Sequence, residues 1–340
     1  MMRNFPDIAL WKKGKQDFLI NQVGPGIDSL LKKIGDGSTS LFCVNGRNAR
    51  VTKLESEDYI ALAISHDKDR INSRKIMDNE VLSILAAAPT IEASKIKSEH
   101  RSRAFIHNLK SLTAKTTQEI FYLVPQDGML LEPRECIHFI ERCIIESPRD
   151  AAQAILKILK HQNAQIAEYS AFDKISGKIG SIKKETHDLH RVLMNVFYLF
   201  FNSFTENKVR VDVEKTTIQA TFDYDSIHAC IYYIVDNASK YIMKNSSFNI
   251  STRLTKSGFV EIYFEMESLI INKDEEERIF EEGYSGTYAV SMKKNGDGIG
   301  LYLAREMAKL NGGSLNINAG RATNAGNYAR NSFVLTLRSE

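Results

Sequence analysis

The sequence predicts an α+β protein in three parts. These are a small mixed domain over residues 1–72, a long helical hairpin over 73–180, and an α/β sandwich over 181–340. Three observations lead there. Residues 91–124 contain neither glycine nor proline and carry apolar residues at near-heptad spacing. Residues 185–340 mix short apolar runs of period two with strongly amphipathic helical segments. Within that stretch, Gly296-Asp297-Gly298-Ile299-Gly300 leads directly into one of those helices.

Composition narrows the class. The chain has 340 residues, 43% hydrophobic and 26% charged, which is ordinary for a globular protein with more than one core. A net charge of +3 does not support a nucleic-acid surface. No apolar run approaches the roughly 18 residues of a membrane span, and the N-terminal stretch lacks the apolar core of a secretion signal. The four cysteines, Cys43, Cys136, Cys143 and Cys230, show no CxxC spacing, so reduced thiols are expected rather than disulfides or zinc. The expectation is a cytoplasmic protein.

In the first part, residues 18–34 have mixed helical character, and 40–44, 49–54 and 59–64 read as strands. Asn45-Gly46 between two apolar runs is a hairpin signal. A small sensory module, a truncated PAS-like unit among the options, and a docking or dimer-supporting domain both fit; no ligand signature separates them.

The hairpin follows. From Ser73 the chain is helix-prone, with Pro89 marking a break or kink. Phe105, Leu109, Leu112, Thr116 and Leu123 form a seam near heptad spacing. His107 is two residues from Phe105 and from Leu109, about 200° round the helix, so it should face outward. An exposed imidazole, substantially neutral near pH 7, suits a nucleophile. Pro125-Gln126-Asp127-Gly128 ends the helix, Pro133 and Pro148 frame a short one, and a second long helix runs over about 150–176. Its residues Ile155, Leu159, Ile166 and Tyr169 lie on one side. Two such helices bury their apolar faces poorly alone, so a homodimer with a four-helix bundle is expected.

In the last part, residues 189–204 read as an apolar helix and 209–213 and 217–222 as strands. Residues 225–241 form a second helix, 248–254 and 259–264 a hairpin about Gly258, and 314–318 and 332–337 two more strands. After Gly300 the helix repeats Leu301, Leu303, Ala304, Met307, Ala308 and Leu310 on one face and ends at Asn311-Gly312-Gly313. A glycine loop opening a helix suits a phosphate group.

The order of these parts resembles the sensor histidine kinase family. Asp236-Asn237-Ala238-Ser239-Lys240-Tyr241 is similar to its asparagine box, and Arg278-Ile279-Phe280-Glu281-Glu282-Gly283-Tyr284 to its phenylalanine box. Gly296-Asp297-Gly298-Ile299-Gly300-Leu301 is similar to its second glycine box. His107-Asn108-Leu109-Lys110-Ser111-Leu112 stands where the phospho-acceptor box belongs, and Phe172-Asp173-Lys174-Ile175-Ser176-Gly177 resembles the end of the second hairpin helix. The resemblance spans about residues 95–340. It implies a dimeric phospho-acceptor hairpin and an ATP-binding sandwich of the type shared with gyrase and heat-shock chaperones. It further implies that ATP and Mg²⁺ are the cofactors and a response-regulator receiver domain is the partner.

The resemblance also assigns roles. His107 is the phospho-acceptor, Asn108 follows it, and Ser111 is where a hydrolytic water is positioned. Asn237 offers its amide oxygen to Mg²⁺, Lys240 meets phosphate as a point charge, and Tyr241, Phe280 and Tyr284 join the nucleotide site. Gly296, Asp297, Gly298, Ile299, Gly300 and Leu301 cover the phosphates, with residues 284–295 as a lid. Three positions depart from the family. Met266, Ser268 and Ile270 stand where its first glycine box has an aspartate for adenine and two glycines, with Glu265 or Glu267 as substitutes after a register shift. Tyr233 replaces a second asparagine, and Asn108 replaces an acid that orients the histidine and takes its proton. Two functions therefore remain: an active kinase that phosphorylates His107, and a pseudokinase scaffold with weak or no ATP binding. A gyrase- or chaperone-like ATPase lacks its general-base glutamate at Tyr233. His187-x-x-His190 reads as a helical pair, but no nearby cysteine or carboxylate completes a metal site.

Overall fold

The structure, a computed structural model, describes residues 5–339 except 16, 25–26, 35–38, 45, 176–181, 295 and 323–325, and the backbone alone at 28, 29 and 32. Asn45 of the expected turn, Ser176-Gly177 of the expected helix end and Asn295 of the expected lid lie outside the described residues. The chain divides into two compact units, Met1–Ala104 and Phe105–Glu340.

The first unit holds β1 (Asp7–Lys12), β2 (Phe18–Asn21), α1 (Ile27–Lys33), β3 (Thr39–Val44), β4 (Arg47–Glu55), β5 (Tyr59–Ser65) and α2 (Lys68–Asn72). The five strands form one antiparallel sheet in the order β2-β1-β5-β4-β3. The helical expectation for residues 18–34 thus resolves into a strand and a short helix, and β1 is an addition. The helix α3 (Arg74–Leu123) starts in this unit, where Met77, Val81, Leu85 and Ala88 pack on Leu10, Tyr59, Ala61 and Ala63 of the sheet. The break expected at Pro89 does not occur. The Pro89 ring faces solvent, Ala88 before it is buried, and Glu92 after it binds Lys12 Nζ at 2.9 Å and the Tyr59 hydroxyl at 2.7 Å. Contacts on both sides hold the helix across the one missing backbone donor.

The second unit begins with the rest of α3. A 3-10 turn (Gln126–Leu130), α4 (Pro133–Glu146) and α5 (Pro148–Ile175) complete the hairpin. Phe105 stacks on Phe172 at 4.2 Å, Lys157 pairs with Glu119 at 3.2 Å, and Gln165 donates to Thr113 at 3.1 Å. The large residues Ile155, Leu159, Ile166 and Tyr169 of α5 are exposed, while the face it buries is made of Ala164, Ala167 and Ala171. Small side chains let α5 approach a neighbouring helix closely, and they join the core of the C-terminal sandwich.

That sandwich comprises β6 (Lys184–Asp188), α6 (Leu189–Phe197), α7 (Phe201–Glu206), β7 (Arg210–Val213), β8 (Gln219–Asp223), α8 (Tyr224–Tyr241), β9 (Ser247–Leu254), β10 (Phe259–Leu269), α9 (Thr287–Ser291), α10 (Gly300–Leu310), β11 (Ser314–Asn318) and β12 (Tyr328–Arg338). The main sheet runs β11-β12-β10-β9-β7, with β7 parallel to β9 and the other neighbours antiparallel. The fold is α+β, as the sequence predicts. The single helix expected over 189–204 is two. Leu199 N bonds Val196 O at 3.1 Å and Phe200 N bonds Phe197 O at 2.9 Å, and this tighter turn brings both Phe197 and Phe200 into the core. His187 lies on β6 with its ring on Phe222, and His190 lies on α6, so they do not form a pair on one helix. Among the described residues no cluster suited to a metal ion occurs. No helix there is long and apolar enough to cross a membrane.

Candidate functional site

A cleft of about 210 Å³, partly open to solvent, lies between α8, the end of β10, residues 284–289 and 296–301, and the hairpin. Its position follows from α8. Asp223 caps that helix by accepting from Ser226 N at 3.0 Å. Ile227, Ile231, Ile234, Val235 and Ala238 bury one face at the spacing of a core helix. This turns Tyr233, Asp236, Asn237, Lys240 and Tyr241 toward the cleft. Asn237 is half-buried, and its amide has no hydrogen-bond partner among the described residues, so its oxygen is free for a ligand or a hard cation. Lys240 is not a free charge. Its Nζ pairs with Asp236 one turn back at 2.6 Å; burial works to lower its pKa, but Asp236 outweighs this and leaves it raised. The Tyr241 hydroxyl donates to Lys294 O at 3.2 Å, tying α8 to the loop opposite.

The loop is built on one glycine of the three. Gly298 has φ +66°, and a Cβ there would lie 2.5 Å from the Gly283 carbonyl carbon and the Tyr284 carbonyl oxygen. Gly283 N donates to Gly298 O at 3.1 Å, so the second glycine stretch is seated on the end of the phenylalanine stretch. Gly296 has open space around it, and Gly300 meets only Tyr233 at ordinary contact distance. The helix α10 starts at Gly300 without a side-chain cap, leaving its first N–H groups available at the cleft. Asp297, Ile299 and Leu301 also line it.

One organising residue escapes the sequence motifs. Glu275 is buried and accepts the Thr287 N–H at 2.7 Å, the Thr287 hydroxyl at 2.8 Å, the Tyr284 hydroxyl at 2.7 Å and the Asn272 N–H at 3.1 Å. Burial opposes its charge, yet these donors hold its pKa down at about 2. Asn272-x-x-Glu275 has capping-box spacing, and that was the available signal. Tyr284, cleft-lining, is further covered by the Arg278 guanidinium at 4.5 Å.

The wall that β10 and the residues after it give the cleft is mostly apolar. With no glycine to turn the chain, β10 continues to Leu269, and Ser268, Leu269, Ile270 and Ile271 line the wall. Met266 is buried in the core, and Glu265 and Glu267 alternate to the other face of the strand. Neither glutamate lines the cleft, so neither substitutes for the missing aspartate. The polar groups here are Ser268 and Asn331, joined at 2.9 Å. Phe280 does not line the cleft; it is in the core behind it, edge-on to Phe333 and under Arg305 at 4.3 Å.

The hairpin supplies Asn108 and Glu168 to the cleft. Asn108 Nδ2 donates to Glu168 Oε1 at 3.5 Å. His107 is exposed on α3 beside Asn108, as the helical spacing requires, and is not part of the wall. Ser111, one turn on, is half-buried and also outside the wall. The hairpin is held there by Lys174, which forms a buried ion pair with Asp223, and by Lys160, which donates to Ser203 at 3.0 Å and covers the Phe200 ring at 4.2 Å.

Residues 222–339 match the family described as histidine kinase-, DNA gyrase B- and HSP90-like ATPase. The chain is similar to the sensor protein KdpD of Clostridium acetobutylicum, 23% identical over 70% of this chain and 25% of the relative. It is also similar to the signal transduction histidine-protein kinase ArlS of Staphylococcus aureus, 27% identical over 43% of this chain and 28% of the relative. It therefore spans about a quarter of the length of these curated relatives. Among solved structures, the mycobacterial sensor histidine kinase MprB aligns with a TM-score of 0.40 at 17% identity, covering 46% of this chain and 99% of that one. The cleft of α8, the glycine loop and α10 thus lies within a histidine kinase-, DNA gyrase B- and HSP90-like ATPase domain, in a chain similar to sensor histidine kinases.

Proposed function

We propose that the protein is a dimeric, ATP-dependent histidine kinase that phosphorylates His107 and passes the phosphoryl group to an aspartate on a receiver-domain partner. One observation carries this reading. Asn108, the neighbour of His107, lines the same cleft as Asn237 and the Gly296–Leu301 loop. That places the helix turn carrying His107 next to the cleft, which supports the reading, since phosphoryl transfer is mostly positioning and charge neutralisation.

In this reading the uncapped start of α10 and the Gly298 turn hold the phosphates, Lys240 with Asp236 borders them, and the apolar wall takes the base. The free Asn237 amide fits a Mg²⁺ ion, which would neutralise phosphate charge when bound. The exposed imidazole of His107 attacks the γ-phosphorus and ADP leaves. The exposed Ile106, Ile155, Leu159, Ile166 and Tyr169 of the hairpin support pairing with a second copy. Residues 1–72, 73–180 and 181–340 then act as input, dimerisation and catalytic parts.

A second reading, a signalling scaffold with weak or no ATP binding, is favoured by the end of β10 alone, where Met266 is buried and Ser268, Leu269, Ile270 and Ile271 offer the cleft no carboxylate. Labelling with γ-labelled ATP and Mg²⁺ separates the two. The kinase takes acid-labile, alkali-stable label that disappears in His107→Gln and in Asn237→Ala. Absence of both label and ATP binding in the wild type would establish the scaffold.

A further inference from the structure

Glu168 on α5 is the carboxylate that the hairpin brings to the cleft wall. No cation pairs with it among the described residues. Asn108 of α3 bonds it at 3.5 Å; Tyr233 and Asp236 of α8 and Asp297 of the glycine loop also face it. The buried Tyr233 hydroxyl beside it has no aligned hydrogen-bond partner. Burial pushes the Glu168 pKa up, and the two neighbouring carboxylates add to the push. An unpaired carboxylate in such a place costs stability. Among the described residues its polar contact on the hairpin is Asn108, the residue next to His107.

We propose that Glu168 is a positioning residue for transfer to His107, acting through Asn108; this rests on the kinase reading above. A carboxylate only accepts hydrogen bonds. By accepting from Asn108 Nδ2 it fixes which way that amide points, and leaves Asn108 Oδ1 to receive the imidazole N–H. The ring is then oriented with its other nitrogen toward the phosphate. In the step, that nitrogen forms a bond to the γ-phosphorus and the bond from phosphorus to the β-bridging oxygen breaks. The electron pair leaves with ADP, and the ring N–H proton passes to water, to which His107 is exposed. An amide locked by a carboxylate thus replaces the acid that Asn108 is not.

The test compares wild type, Glu168→Gln, and the exchange Asn108→Asp with Glu168→Gln, in full-length protein. Glutamine at 168 can donate as well as accept, so it no longer dictates the Asn108 amide. The expected result is a rate of His107 labelling at saturating ATP about tenfold lower, with the Kd of a non-hydrolysable ATP analogue within about threefold. In the exchange, the carboxylate introduced at position 108 accepts from the amide introduced at position 168, and the rate returns to within about threefold of wild type. Wild-type rates in Glu168→Gln, or no recovery in the exchange, would overturn the role of Glu168 while leaving the kinase intact. An unlabelled wild type would remove the kinase reading, and this role with it.

Discussion

Thr287 donates its backbone N–H and its hydroxyl to one oxygen of Glu275, at 2.7 and 2.8 Å. The same oxygen receives the Tyr284 hydroxyl, so a single buried carboxylate pins the start of the loop over the cleft. Replacing Glu275 by glutamine removes the charge but keeps the shape. The folded-state pKa is near 2 against an ordinary 4.5, so the charge stabilises the fold above about pH 4.5 and that contribution is lost as pH falls toward 2. Urea denaturation should show Glu275→Gln about 3 kcal/mol less stable at pH 7, with the gap closing as the pH is lowered toward 3. A difference independent of pH would contradict this.

Gly298 should tolerate no side chain. Gly298→Ala meets both a positive φ and the backbone of Gly283 and Tyr284, and should weaken ATP-analogue binding at least about tenfold. Gly296→Ala, with open space around it, should bind within about twofold of wild type. Calorimetric titration of the two variants decides the matter; equal effects would mean that the glycine loop acts through general mobility.

Among the described residues the Asn237 side chain has no hydrogen-bond partner to lose. Asn237→Ala should therefore unfold within about 0.5 kcal/mol of wild type while losing nucleotide affinity in the presence of Mg²⁺. Parallel denaturation and titration would expose a structural role if stability fell with binding.

The ion pair of Lys174 and Asp223 joins the hairpin to the cap of α8. Burial raises the pKa of Asp223, but Lys174 and the N–H groups of Ser226 and Lys183 outweigh it and hold the carboxyl below its usual range. Lys174→Ala strands a buried carboxylate, and chemical denaturation should register a loss of about 3 kcal/mol. A loss under about 0.5 kcal/mol would show that solvent reaches Asp223.

The exposed apolar row on α5 makes an oligomeric prediction. Ile155→Glu with Ile166→Glu should convert the proposed dimer to a monomer in sedimentation velocity, with little change in far-UV circular dichroism, since both side chains are already exposed. A wild type that sediments as a monomer would overturn the dimer.

Much of this was legible in the residues. Heptad spacing puts His107 on the outside of α3, the apolar pattern of residues 225–241 turns Asn237 to the cleft, and Gly296 to Gly300 announce a helix start at the cleft. Those are local properties, set by the periodicity of a helix and the conformational range of glycine, so a one-dimensional pattern contains them. Tertiary structure alone decided the rest. It put Phe280 behind the cleft, turned Glu265 and Glu267 off the wall, and left Gly298 as the one glycine of the loop with no room for a Cβ. It also brought Glu168 to Asn108 across 60 residues of sequence and gathered five hydrogen bonds on Glu275. Such meetings depend on how alanines on α5 let one helix close on another and on which strand face meets the core. Spacing along the chain carries no record of which side chains those contacts bring together.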